Sequence, residues 1–130
     1  MDLSFKVITF VCMALIANNG ESNGVRLLSE KSLSKIFDEQ IMDHDLILDR
    51  LVRWGIGFGL PVKNDSWMGY FNNDKTCYWT GWGGSLSIAD KQNRVALGYT
   101  PLRMEDDVFG EERTNNIVRS FVECIDGLGA

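Results

Sequence analysis

CYWTGWGGSLSIADKQNRVALGYT, residues 77–100, decides how this chain folds. It divides into "CYWTG", "GSLSIAD" and "RVALGYT", rich in aromatic and β-branched residues, and the last two are joined by "DKQN", a polar connection that suits a hairpin. Antiparallel strands follow. Within it, "YWTGWGGS" (78–85) sets two tryptophans and three glycines at the mouth of a strand. Large rings beside residues without side chains mark a place where something flat or extended is gripped against bare backbone. The plainer reading of the same residues is packing by Trp79 and Trp82 at a strand end, with the glycines forming a bulge.

Upstream, "RWGIGFGLP" (53–61) alternates strictly, with Trp54, Ile56, Phe58 and Leu60 on one side and Gly55, Gly57 and Gly59 on the other. Period two means a strand, and a glycine face lets another backbone or a helix come close. "VKNDSWMGYFNNDKT" (62–76) reads as a loop. Before the strand, "LLSEKSLSKIFDEQIM" (27–42) carries Leu33, Ile36, Phe37 and Ile41 at helical spacing, with Ser29 as N-cap. "DHDLILDRLV" (43–52) reads as irregular or as a short helical turn. After a second irregular passage, "PLRMEDDVFGEER" (101–113), the stripe Ile117, Val118, Phe121, Val122 and Ile125 makes an amphipathic helix. Glu111 and Glu112 favour its start through the helix dipole, and Gly127 stands where a C-cap belongs. The outline is helices, then three or four antiparallel strands, then a closing helix. That is an α+β fold, an antiparallel sheet flanked by helices in one domain over residues 1–130.

Bulk properties narrow the function. A hydrophobic fraction of 45% and a charged fraction of 24% are those of an ordinary globular domain. The net charge of −5, without a cluster of Lys and Arg, argues against nucleic acid as partner; the acidic "MEDD" (104–107) is a solvated loop. Three cysteines at wide spacing, Cys12, Cys77 and Cys124, make neither a disulfide framework nor a zinc site and read as free thiols in a reducing compartment. His44, the one histidine, sits between Asp43 and Asp45 and reads as solvated. No metal or cofactor motif is present, and the sequon Asn64-Asp65-Ser66 matters only in a secreted chain. At the N-terminus, "KVITFVCMALIA" (6–17) has the charge and apolar length of a signal peptide, although Asp2 precedes it and Leu15 stands where a small residue is wanted. It is too short to span a bilayer, which excludes a membrane anchor of that kind. It reads equally as a buried helix that ends at the turn-forming "NNGESNG" (18–24).

The order "NGVRLLS", "RWGIGFGL", "WTGWGGS", "SIAD" and a final helix resembles the last third of the serine β-lactamase-like family: class C β-lactamases, DD-peptidases (penicillin-binding proteins) and related esterases. The likeness runs from about Val11 to Leu128. It implies a partial β-lactamase/transpeptidase-like fold without the family's helical lobe. It also assigns "CMALIANNGESNGVRLLS" (12–29) to a helix and loop of that fold, which favours a cytoplasmic location over a signal peptide at 1–17. In the family a Ser-x-x-Lys supplies nucleophile and base, a Tyr-x-Asn a second proton carrier, and a Lys-Thr-Gly on an edge strand completes the cleft. Trp79-Thr80-Gly81 is similar to the Lys-Thr-Gly. The resemblance then implies that Trp79, Thr80, Gly81 and Trp82 form the substrate and oxyanion side of the site, with the Trp82 N–H a donor of the kind worth roughly 3 kcal/mol of barrier. Trp in place of Lys points to esterases rather than to penicillin recognition.

Two short matches to the other motifs read as accidents. Ser32-Leu33-Ser34-Lys35 fits Ser-x-x-Lys on paper, but on a helix Lys35 points away from the apolar stripe and into water. Tyr70-Phe71-Asn72 fits Tyr-x-Asn in a polar loop close to Trp79. Neither is assigned a catalytic role, so the sequence supplies no catalytic residue. The expected function is the C-terminal part of an ester or amide acyl hydrolase acting on a small molecule, inactive alone. The alternative is a non-catalytic interaction protein that self-associates through surface left uncovered. A sugar-binding module using Trp79 and Trp82 as platforms is a further possibility.

Overall fold

A computed structural model describes residues 3–64, 68–71, 73–104, 106, 108 and 112–128, with side chains from Phe10 to Gly127 within that range. Helix α1 (Leu3–Ala17) leads into a miniature hairpin, β1 (Glu21–Ser22) with β2 (Val25–Arg26). Helix α2 (Glu30–Ser34) runs into a 3-10 turn at Lys35–Phe37. Strands β3 (Ile41–Asp45) and β4 (Arg50–Trp54) pair antiparallel, as do β5 (Thr76–Gly81), β6 (Ser85–Asp90) and β7 (Val95–Tyr99) in that order. Helix α3 (Glu112–Leu128) closes the described chain. The architecture is α+β with antiparallel pairing throughout, as the sequence predicts.

The register shows which side chains share a face. Cys77 stands opposite Ala89, and Ala89 opposite Ala96. One step along, Tyr78, Ile88 and Leu97 align and point the other way. The first face is built of small residues, and α1 lies on it: Met13, Ile16 and Ala17 share a core cluster with Cys77, Ala89, Leu33, Phe37 and Leu60. At Gly98 a Cβ would come to 3.0 Å from the Phe10 ring, so the bare backbone there lets α1 lie close to β7. The opposite face is large. Tyr78, Leu86 and Ile88 pack with Val118 of α3 and with Met68 and Phe71 from the long loop, bordered by Phe121, Val122 and Ile125. Burying an aliphatic side chain as fully as Ile88 or Val118, each at 0% exposure, contributes about 2 kcal/mol. The stripe read from α3 is therefore its core face. The segment 6–17 is part of a helix that covers a sheet, and among the described residues no helix is long and apolar enough to cross a membrane.

Four expectations require correction. Residues 43–52, read as irregular, form most of a hairpin in which His44 pairs with Leu51 and Asp45 with Arg50. Its turn is made by Asp45, whose Oδ1 accepts from the N–H groups of Ile47 and Leu48, both at 2.9 Å, and by Asp49 at φ +49°. Those bonds, that of Leu48 first, hold the Asp45 carboxyl below its ordinary pKa. The helix read through Ile41 stops earlier. Ser29 caps it as expected, its Oγ accepting from Ser32 N–H at 3.1 Å, but Asp38 turns extended and Ile41 begins β3, half exposed. The glycine-alternating strand also breaks. β4 ends at Trp54, Gly55 N–H bonds Phe58 C=O at 2.9 Å, and Gly57 takes φ +77°, so the chain folds back on itself before Gly59. Finally, Gly127 lies inside α3, which continues to Leu128.

Cys12, Cys77 and Cys124 are all free thiols, two of them exposed and Cys77 buried in the α1 core. Burial pushes the Cys77 thiol up to about 12 from an ordinary 9.0. Below pH 9 the group is neutral in both the folded and unfolded chain. Between those values only the unfolded chain loses the proton, so stability falls as pH rises, by up to about 1.4 kcal/mol per pH unit. Urea unfolding between pH 9 and 11 should show this slope, and Cys77→Ala should remove that part of it.

Candidate functional site

Trp79, Thr80, Gly81 and Trp82 lie at the end of β5 and the start of its turn into β6. What positions them is where the neighbouring chain stops. Gly59 bonds Tyr78 in both directions, N–H to C=O at 3.0 Å and C=O from N–H at 2.9 Å, and also bridges to Trp54. This one residue stitches the β3–β4 hairpin to the edge of β5. A Cβ on Gly59 would sit 2.6 Å from the Tyr78 ring, so only glycine permits the approach. Past Tyr78 no described strand continues along that edge.

Backbone groups of alternate residues face opposite ways in an antiparallel ladder. Since Tyr78 turns its N–H and C=O toward Gly59, Thr80 turns its own outward along the same edge, where no strand meets them. Trp79 and Gly81 face β6, opposite Ser87 and Ser85. The Ser87 hydroxyl donates to Trp79 C=O at 3.4 Å, and Gly84 N–H donates to Gly81 C=O at 3.1 Å to close the turn. A side chain on Gly81 would meet Ser85 Oγ at 2.5 Å.

The turn is held from both sides. Gly83 and Gly84 take φ +93° and +87°, left-handed values that favour glycine, and both are buried. Met104 lies against Gly83, leaving no room for a Cβ, and the Thr114 hydroxyl of α3 donates to Gly84 C=O at 3.5 Å. Arg113 beside it reaches Arg103 C=O at 3.3 Å, tying the 102–104 segment to α3. Trp82 is carried on this clamped turn and is 64% exposed. Trp79 is 50% exposed, with its ring tilted 49° against Trp54 at 5.9 Å between centroids. Residues 79–82 are thus at the surface beside an open strand edge, and not sealed into the core. The roles of Met104, Thr114 and Trp54 carried no signal in the sequence, because each acts through a contact distant along the chain.

The other candidates stand elsewhere. The Ser32 hydroxyl is 2.9 Å from that of Ser29 at the helix cap, and Ser32 and Lys35 are both exposed. Phe71 is buried against α3, Tyr70 borders the same cluster, and Asn72 lies outside the described residues. So do Glu111, Asp65 and Ser66 of the sequon, Glu105 and Asp107 of the acidic run, and Asp2. His44 is exposed on β3, with Nε2 3.5 Å from Asp49 Oδ1. Among the described residues no group of three metal-ligating side chains comes together. A polar concavity of about 430 Å³ lies between the α1 end and the β1–β2 hairpin, lined by Asn18, Glu21, Arg26, Glu30 and Arg94 among others, remote in sequence from the β5 edge.

No family model matches the sequence, and no curated protein matches it. Solved structures do. A family VIII carboxylesterase is similar over 89% of this chain at 28% identity, with a TM-score of 0.76. A penicillin-binding protein homolog from Caulobacter crescentus is similar over 85% at 24% identity and TM-score 0.73. EstA from Arthrobacter nitroguajacolicus Rue61a is similar over 91% at 22% identity and TM-score 0.69. The latter two establish the fold alone. The chain spans 30%, 29% and 32% of these proteins, respectively.

Because Gly59 sets where the edge of β5 opens, Gly59→Ala should force the Tyr78 ring or the bridge apart. The expected cost is about 2 kcal/mol, read as a lowered urea midpoint with an unchanged slope.

Proposed function

We propose that this chain, which has part of the serine β-lactamase-like fold, provides the oxyanion-side wall of an ester or amide acyl-transfer site. The carrying observation is the strand edge that opens after Tyr78, with bare backbone between two exposed tryptophans. A substrate carbonyl laid along it would meet the outward N–H of Thr80, and the oxyanion donor we assign is the N–H of Trp82 at the start of the turn. When a nucleophilic oxygen attacks the carbonyl carbon, the π electrons move onto the carbonyl oxygen, and a fixed N–H stabilises the charge formed there. The intermediate then collapses, the C–O or C–N bond breaks, and the leaving group departs with a proton. Gly81 matters here because a side chain would intrude on the turn, and the clamp from Met104 and Thr114 keeps the Trp82 amide from rotating away.

The attacking oxygen and its base are assigned to polypeptide other than these 130 residues. Activating a serine needs a base within about 3 Å, whereas the Ser32 hydroxyl is engaged with Ser29 at an exposed helix cap. The similarity to a family VIII carboxylesterase and the Trp at position 79 both favour an uncharged ester over a penicillin as substrate. The purified chain should not turn over a chromogenic short-chain ester or a cephalosporin. Turnover abolished by Ser32→Ala would overturn the assignment.

A second reading, a non-catalytic chain that associates with itself, is favoured by its surface. Leu46 and Ile47 at the tip of the β3–β4 hairpin are 91% and 93% exposed, and Leu102 is fully exposed. Such apolar surface favours association. Light scattering should then give a mass above 14.7 kDa that rises with concentration; a concentration-independent monomer removes this reading.

A further inference from the structure

We infer that Trp79 is a specificity-determining residue: its indole is the platform on which an aromatic ring of the substrate stacks, so the site takes esters or amides that carry an aryl group next to the carbonyl unit. This deepens the acyl-transfer reading and rests on it.

Three observations carry the inference. The first is orientation. Trp79 precedes Thr80, so its ring stands on the α1 side of the same edge from which the Thr80 backbone groups look out. A ligand whose carbonyl lies along the edge has its neighbouring substituent at the level of that ring. The second is rigidity. The Trp54 ring packs against Trp79 with centroids 5.9 Å apart, which narrows the rotamers open to the indole before a ligand arrives. A ring so restricted stacks at less of the ordering cost that a free side chain pays. The third is exposure. Half of the Trp79 surface is free although a tryptophan gains more than other side chains from burial. The surroundings extend the apolar character: Trp82 stands on the next turn, and Met104, itself 55% exposed, lies against that turn at Gly83. A flat, uncharged ring matches this chemistry, because offset stacking on the indole adds to the area buried.

The test uses the chain itself with N-phenylbutanamide and N-cyclohexylbutanamide, which share a carbonyl unit and differ in whether the ring is flat and aromatic. Binding is followed by 15N–1H correlation spectra, which report the Trp79 indole N–H and the Thr80 and Trp82 backbone amides separately. The phenyl compound should shift all three signals and bind about fivefold more tightly than the cyclohexyl compound. Trp79→Ala should abolish that preference, and Trp79→Phe should retain part of it. Equal affinity for the two compounds, with Thr80 and Trp82 amides shifting in both, overturns the aromatic preference and leaves the acyl site standing. Shifts at the indole without any at the two amides overturn the acyl reading itself, since the ring would then be seated with its carbonyl elsewhere. A preference that survives Trp79→Ala unchanged removes Trp79 as its source.

Discussion

The fold depends on a paired hydrogen bond between Gly59 and Tyr78, made at a distance that no side chain at position 59 would allow. Among the described residues, every other strand pairing in the sheet joins strands that follow each other directly. This one joins the β3–β4 hairpin to the β5–β7 meander, and it does so over a single residue. Two consequences meet there. The sheet becomes continuous, so that the core under α1 can draw on Leu33, Phe37 and Leu60 as well as on Cys77 and Ala89. The continuity also ends at Tyr78, so the remainder of β5 is an edge. A longer bridge would have covered Thr80, and without a bridge β5 would hold nothing on that side.

An exposed edge strand is ordinarily a hazard, since unpaired backbone groups invite another strand. Here the opening is short and is followed at once by a turn whose glycines are wedged between Met104 and α3. The two exposed tryptophans fit the same arrangement. One packs against Trp54, and the other is carried on the clamped turn. The backbone groups of Thr80 beside these rings are open to a ligand, whereas in the polar concavity by β1–β2 the Arg26 guanidinium is engaged by Glu21 and by Asn19 C=O.

Some of this was legible from residues alone. Strands β5 to β7 and the stripe of α3 follow directly from their periods, and the tryptophan–glycine cluster marked the edge. The β3–β4 hairpin was not legible because its turn, Leu46 to Asp49, is apolar and lacks glycine, proline or asparagine; the signal was in Asp45, whose carboxylate organises the turn. The alternation of residues 53–61 continued through a reversal, since a tight turn at Gly55–Phe58 preserves period two while ending the strand. Ile41 fell on the helical stripe by coincidence of spacing, and its pairing opposite Trp54 decided otherwise. At the site, the sequence exposed the surface residues and concealed their supports, which come from segments far along the chain.

Asp90, 1% exposed at the end of β6, accepts from Asn93 N–H at 2.9 Å, from Asn93 Nδ2 at 2.8 Å and from Asn73 Nδ2 at 3.1 Å, while Asn73 Oδ1 receives Lys75 N–H and the Thr76 hydroxyl. One carboxylate therefore fastens the hairpin loop after β6 to the segment that launches β5. The first residue of β5 is thereby moored to the last residue of β6, so a side-chain knot reinforces the end of the ladder where Thr76 stands opposite Asp90.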